Sequence, residues 1–259
     1  MTSPNIQIDM NIFKRFSAGS ANDEQYCHLW LRGASLFIEQ LEGIVNYVNS
    51  DYKIEIEDIK NFENSNSTRL GEIFKRNGSD KWSHTYNILY SHIFDELGIN
   101  NNLNVLEIGI GTNNPDLIST MGRFARPGAS LYAFRDYLPN SNIYAGDVDR
   151  NILFNDERIK TCYIDQLDIK SFSNCTENFG DIKYDLIIDD GLHSIGANLN
   201  TLLFALNNVN LNGWIVIEDI HLINNWFGIH YILRQDPRLE IHIIKSKVQM
   251  MYCVKKIRN

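Results

Sequence analysis

Two short stretches concentrate side chains able to do acid–base or metal chemistry: Asp189-Asp190-Gly191-Leu192-His193 and Glu218-Asp219-Ile220-His221. Each lies at the end of an apolar run that reads as a strand, Tyr184 to Asp189 and Trp214 to Glu218. Carboxylates gathered at neighbouring strand ends repel one another unless a cation neutralises them. Mg²⁺ is the economical candidate, because it takes oxygen ligands and keeps waters that a substrate hydroxyl can displace. His193 has the intrinsic basicity to accept a proton near neutral pH, and His221 is the competing base. A single acid or histidine would more often be a helix cap or a packed residue; the grouping is what points to chemistry.

A third stretch, Glu107-Ile108-Gly109-Ile110-Gly111-Thr112, closes the apolar run that starts at Asn104. Its glycines let the chain turn tightly and let a ligand lie against bare backbone at the carboxyl edge of a sheet. A dinucleotide fingerprint would need another small residue where Asn114 stands, and an acid where Ala129, Ser130 and Leu131 lie. A nicotinamide cofactor is therefore disfavoured.

The elements that must position these groups alternate in type. Further strands are expected at Ile143 to Asp147 and Ile159 to Ile164, with helical patterns between several strands, notably Asn198 to Leu206. Helix-compatible residues also run from Pro115 to Phe124, after the first strand. Such alternation implies a mostly parallel sheet covered on both faces. The end differs: Leu239 to Lys245 and Gln249 to Lys255, linked at Ser246-Lys247, predict an antiparallel hairpin. Before the first strand, Tyr86, Leu89, Tyr90, Ile93, Phe94 and Leu97 share a helical face that stops at Gly98.

Upstream, apolar residues from Trp30 and Ala34 to Val45 and Val48 predict a long amphipathic helix over Asp23 to Asn49. A shorter helical pattern, Leu70 to Lys75, ends at Asn77-Gly78. Residues 1–78 thus read as a helical appendage, a lid or oligomerisation element that could make the protein a homo-oligomer. Residues 79–259 read as the main domain. The predicted fold class is α/β, a doubly wound seven-stranded Rossmann-like sheet ending in an antiparallel hairpin.

At 259 residues, 44% hydrophobic and 22% charged, the chain has the make-up of a folded globular protein. A net charge of -8 and a pI near 5.4 argue against nucleic acid as a partner, since phosphate binding needs a basic surface. No apolar run approaches the roughly 20 residues that cross a bilayer. The first residues, with Pro4, Asn5, Gln7 and Asp9, lack the apolar stretch of an export signal. Cys27, Cys162, Cys175 and Cys253 show neither zinc-ligand nor disulfide-framework spacing. The expectation is a cytoplasmic protein with reduced thiols and no membrane partner.

Glu107-Ile108-Gly109-Ile110-Gly111 resembles the S-adenosylmethionine-binding motif of class I methyltransferases. The resemblance narrows further along the chain. Arg135-Asp136-Tyr137-Leu138-Pro139-Asn140 resembles the segment before strand two in macrolide-type sugar O-methyltransferases, the mycinamicin and macrocin family. Asp165-Gln166-Leu167-Asp168 is similar to its G-D-Q-S-D, with Ile164 in place of the glycine. Tyr184 to His193 is similar to F-D-x-I-I-D-D-G-S-H, Gly213 to Asp219 to G-G-x-Y-V-I-E-D, and Gly78-Ser79-Asp80-Lys81 to G-T-D-K. The likeness spans about residues 78 to 227 in order.

The resemblance implies an S-adenosylmethionine- and Mg²⁺-dependent O-methyltransferase. It implies that Lys81, Glu107, Gly109, Gly111, Asp147, Asp165, Gln166 and Asp189 bind the cofactor, with Asp147 accepting the two ribose hydroxyls. It implies Asp190, Glu218 and Asp219 as metal ligands and His193 as the base. The expected acceptor is a small-molecule sugar, such as a nucleotide-activated sugar or a surface-polysaccharide precursor, with a macrolide sugar or a small phosphorylated capsule precursor as alternatives. A cephalosporin hydroxylase-type oxygenase shares much of this signature, but it would need a 2-His-1-carboxylate triad that these motifs do not supply. A non-catalytic binding module gives no reason to keep a base beside a metal site.

Overall fold

A computed structural model describes residues 37–117, 119–122 and 126–259. The chain divides into two compact units, residues 1–52 and 53–259. In the first, residues 37–48 form helix α1, with Val45 buried and Phe37, Ile44, Tyr47 and Val48 exposed. The earlier part of the expected helix, with Trp30 and Ala34, lies outside the described residues.

The second unit is built on nine strands: β1 (Glu57–Asp58), β2 (Asn104–Ile108), β3 (Asn142–Asp147), β4 (Asn155–Asp156), β5 (Ile159–Tyr163), β6 (Tyr184–Asp189), β7 (Val209–Ile220), β8 (Leu239–Lys245) and β9 (Met250–Lys256). Its helices are α2 (Ser67–Asn77), α3 (Tyr86–Leu97), α4 (Ala129–Tyr137), α5 (Ser173–Phe179), α6 (Ile195–Asn208) and α7 (Phe227–Leu233). The strand order is β1-β8-β9-β7-β6-β2-β3-β5-β4. β2, β3, β5, β6 and β7 run parallel, and β9 is inserted antiparallel between β7 and β8. The seven expected strands form the body of the sheet. The two additions, β1 and β4, are two-residue edge strands.

Strand alternation sorts the core into two layers. Val105, Leu186, Ile188, Trp214 and Val216 pack with α2, α3 and α4, whereas Leu106, Ile108, Ile187, Ile215 and Ile217 pack on the other face with α5 and α6. Burial of Leu89, Ile93 and Phe94 on α3 contributes on the order of 1.5–3 kcal/mol per side chain. The same parity decides where the acids go. Glu107 and Glu218 follow Val105 and Val216 onto the α3 face, and Asp189 follows Ile187 onto the α6 face.

Two expectations are corrected by packing. The main unit begins at Lys53 and not near residue 79, because α2 buries Leu70 and Phe74 in the same core, with Phe74 edge-on to Phe134 at 5.3 Å. The helix expected over Pro115 to Phe124 does not form among its described residues, which make turns and irregular backbone. Asn114 Oδ1 accepts the Asp116 N–H at 3.0 Å, a side-chain turn that competes with a helix, and α4 starts only after Gly128 in left-handed backbone (φ 74°). Residues 118 and 123–125 lie outside the description.

Candidate active site

The strand order turns back between β2 and β6, the crevice where doubly wound sheets bind ligands. A cavity of about 400 Å³ opens at this edge, bordered by Gly109, Gly111 and Thr112 after β2 and by Asp147 and Val148 around the end of β3. Asp165, Gln166 and Leu167 after β5, and Asp190 to His193 after β6, complete its wall. Among the predicted cofactor residues, Gly109, Gly111, Asp147, Asp165 and Gln166 line this cavity; Lys81, Glu107 and Asp189 do not.

Each lining residue has a local reason for its place. Gly109 has φ 89°, and a Cβ there would lie 2.2 Å from the Asp190 carbonyl oxygen. The glycine is needed for the close approach of two protein segments, and not only for ligand space as the motif suggests. Asp147 Oδ2 accepts the Ile110 N–H at 2.9 Å and its Oδ1 the Asp149 N–H at 2.8 Å, so it braces the glycine loop. Burial holds its carboxyl above the ordinary carboxylate range, against the pull of the backbone donors. Each oxygen retains capacity for a further hydrogen bond. Asp165 Oδ1 accepts the Leu167 N–H at 2.9 Å.

Gln166 and Asp189 act as a lock. Gln166 Nε2 donates to Asp189 Oδ1 and Thr201 Oγ1, each at 2.8 Å, while its Oε1 accepts the Leu192 N–H at 2.8 Å. Asn198 Nδ2 donates to Asp189 Oδ2 at 3.1 Å. Asp189 is fully buried on the α6 face, which raises its carboxyl's affinity for a proton; it holds the loop in shape behind the cavity wall.

Lys81 enters from a one-turn helix, Asp80–Trp82, and is buried beneath the cavity. Its Nζ lies 2.7 Å from Asp190 Oδ2, 2.7 Å from Glu218 Oε2 and 3.1 Å from Glu107 Oε1. Burial works against the ammonium, yet Asp190, Glu218 and Glu107 outweigh it and hold its pKa well above the ordinary lysine value. Burial pushes the Glu218 and Glu107 carboxyls up in turn, against the pull of Lys81. One ammonium is thus shared among two buried carboxylates and the half-buried Asp190. Glu107 Oε2 also accepts the Ser130 hydroxyl at 2.5 Å.

Lys81 claims Asp190 Oδ2 and the Tyr86 hydroxyl claims Asp219 Oδ1. The opposite oxygens, Asp190 Oδ1 and Asp219 Oδ2, lie 3.9 and 3.8 Å from His193 Nε2. Asp190, His193 and Asp219 each offer one ligand atom, and these atoms fall within 4.8 Å of one another at the cavity wall. The two carboxylate oxygens suit a hard divalent cation, and the imidazole stands beside them as a nitrogen base. Glu218 stands apart from this group: Tyr90 and Lys81 hold its two oxygens, so it could join only by releasing one of them.

His193 also carries a buried Nδ1 that finds no partner among the described residues, and both His193 and Asp219 have left-handed backbone, each with φ 54°. For residues other than glycine this conformation costs roughly 1–2 kcal/mol. His221 is exposed, does not line the cavity, and places its ring centroid 6.2 Å from that of His193. Tyr86 and Tyr90 were legible only as part of α3's buried face. Their i,i+4 spacing beside a lysine was the available signal for a polar role.

No protein-family model matches the chain. It is 32% identical over 186 residues to the 8-demethyl-8-(2-methoxy-alpha-L-rhamnosyl)-tetracenomycin-C 3'-O-methyltransferase of Streptomyces olivaceus, covering 68% of this chain and 43% of that protein. It is 32% identical over 123 residues to the mycinamicin VI 2''-O-methyltransferase of Micromonospora griseorubida, covering 47% of this chain and 28% of that one. The chain thus matches less than half the length of either relative. The crystal structure of the mycinamicin-pathway methyltransferase MycE with Mg, SAH and mycinamycin VI superposes with a TM-score of 0.58 at 22% identity, over 73% of this chain and 54% of that one. Sequence likeness and shared fold together make this chain a relative of the tetracenomycin- and mycinamicin-type sugar O-methyltransferases, built on the α/β methyltransferase fold.

Proposed function

We propose that the chain is an S-adenosylmethionine- and Mg²⁺-dependent O-methyltransferase acting on a hydroxyl of a sugar. The observation that carries this reading is the meeting of two free carboxylate oxygens and His193 Nε2 at the wall of a cavity floored by the glycine loop. When bound, Mg²⁺ supplies Lewis-acid polarisation of the acceptor hydroxyl. Asp190 Oδ1 and Asp219 Oδ2 would hold it, with Glu218 close behind. Gly109, Gly111, Asp147 and Asp165 hold the donor, whose ribose hydroxyls suit Asp147. Methyl transfer needs nucleophile, carbon and sulfur in line, so the rigid wall made by Gln166 and Asp189 contributes by positioning. His193 Nε2 accepts the hydroxyl proton, in preference to His221, which lies outside the cavity lining.

The cavity also bears on the acceptor. Asp80, Asp116, Asp147, Asp165, Asp190 and Asp219 line it, and no lysine or arginine does among the described residues. With Asp190 and Asp219 taken by the metal and Asp147 and Asp165 by the donor, Asp80 and Asp116 remain to disfavour a further anion, so a sugar carried by an uncharged small molecule fits better than the nucleotide-activated sugar or capsule precursor the sequence suggested. Mass spectrometry after incubation with S-adenosylmethionine, Mg²⁺ and a panel of neutral glycosides and nucleotide sugars tests both points. The expected result is a mono-methylated glycoside, absent in EDTA and restored by Mg²⁺. Methylation of nucleotide sugars alone would overturn the charge argument, and undiminished activity in chelator would overturn the metal.

A further inference from the structure

Each of the three carboxylates assigned to the metal by resemblance has an oxygen claimed by one short segment, residues 81–90. Lys81 holds Asp190 Oδ2 and Glu218 Oε2, Tyr90 holds Glu218 Oε1, and Tyr86 holds Asp219 Oδ1. We infer that Lys81, Tyr86 and Tyr90 are positioning residues that set which carboxylate oxygens the metal centre presents. The inference rests on the metal reading above and extends it to residues outside the cavity lining.

Three features support it. Tyr86 and Tyr90 are four apart on α3, so both hydroxyls leave the same helical face, the one onto which strand parity turns Glu218. The Tyr90 ring packs without its hydroxyl: Phe74, Phe94 and Phe134 fill the aromatic cluster around it. The third is the resulting pattern of free oxygens, since the claimed atoms leave Asp190 Oδ1 and Asp219 Oδ2 both towards His193. Mg²⁺ demands near-ideal octahedral geometry, and a carboxylate free to rotate could instead offer both oxygens to one cation or turn away. Lys81 additionally reaches Glu107, on the strand that leads into the glycine loop, so it ties the metal side of the cavity to the donor side.

Calorimetric titration of Mg²⁺ and, separately, of S-adenosylhomocysteine into the full chain and its variants tests this without turnover. Tyr86→Phe keeps the ring and removes only the hydroxyl; it should weaken Mg²⁺ binding by about 10- to 100-fold, the usual effect of losing a partner that orients a ligand, and leave S-adenosylhomocysteine affinity unchanged. Tyr90→Phe should have a smaller effect, because Lys81 still holds Glu218. Lys81→Met should weaken S-adenosylhomocysteine binding, through Glu107 on the strand that leads into the glycine loop. Should the lysine variant fail to fold, the two tyrosine variants decide. Wild-type Mg²⁺ affinity in both tyrosine variants would overturn the inference. A wild-type chain that binds no divalent cation would overturn the metal reading itself, and this inference with it.

Discussion

His193 combines an unusual backbone with an unusual environment. Its φ of 54° and partnerless Nδ1 are costs that a packing role would not require, and its Nε2 faces the free oxygens of Asp190 and Asp219. Such costs are retained where a side chain must point at a reacting group. His193→Ala should therefore lower turnover by about 10²- to 10⁴-fold, the usual contribution of a positioned base, while S-adenosylhomocysteine binding by calorimetry stays near wild type. Wild-type turnover in this variant, with loss in His221→Ala, would transfer the role to His221. Asp189 makes the opposite case. Its oxygens accept hydrogen bonds from Gln166, Asn198 and the Gly191 N–H, while Asp189 itself does not line the cavity. Asp189→Asn replaces an acceptor with a donor there and should cost on the order of 1–3 kcal/mol in denaturant unfolding, a loss of stability expected of a lock rather than a ligand.

The glycine loop shows how element geometry constrains the site. Gly109→Ala should abolish S-adenosylhomocysteine binding and lower the melting temperature, because the new Cβ would meet backbone of the neighbouring Asp190 loop, which cannot yield independently. Gly111→Ala should be milder despite its φ of 82°, since the nearest atom, 2.4 Å from the added Cβ, belongs to the flexible Met121 side chain. Parallel thermal melts of the two variants test the ranking, and equal losses would contradict it. The sequence foretold the strands well because their apolar runs are bounded by glycine, acid or turn residues; Asn104–Ile108 and Tyr184–Asp189 fall where expected. It did not foretell α4, because Pro115 to Phe124 carries acceptable helical periodicity whereas a side-chain turn at Asn114 redirects the chain. Of the site, the motifs named the acids but not their orientation. Strand alternation sends Glu107 and Glu218 to Lys81 and Asp189 to Gln166, and that parity emerges only once each strand's register on its core is known.

At the scale of the molecule, the described site residues all belong to the unit spanning residues 53–259. A chain beginning at Lys53 should fold and bind S-adenosylhomocysteine with wild-type affinity, as read by calorimetry; loss of binding would assign residues 1–52 a part in the site. The unit's stability should also depend on pH through His230, a residue of α7 whose ring meets that of Tyr252 on β9 edge-on at 5.9 Å. Burial, with a smaller contribution from Arg234, lowers its pKa from 6.5 to about 4. Between those values the unfolded chain binds a proton that the native one refuses, so this contribution is complete above pH 6.5 and is lost as pH falls towards 4. Denaturant unfolding across that window should show the decline, and His230→Leu should flatten it; an unchanged slope would contradict the assignment.

The central claim is that the glycine-loop cavity holds a methyl donor, and calorimetry on the wild-type chain tests it most directly. S-adenosylhomocysteine should bind saturably at one site per chain, and NAD should give no binding heat, because Asn114 and the Ala129 to Leu131 stretch stand where a dinucleotide site needs a small residue and an acid. Saturable NAD binding with no response to S-adenosylhomocysteine would contradict the account.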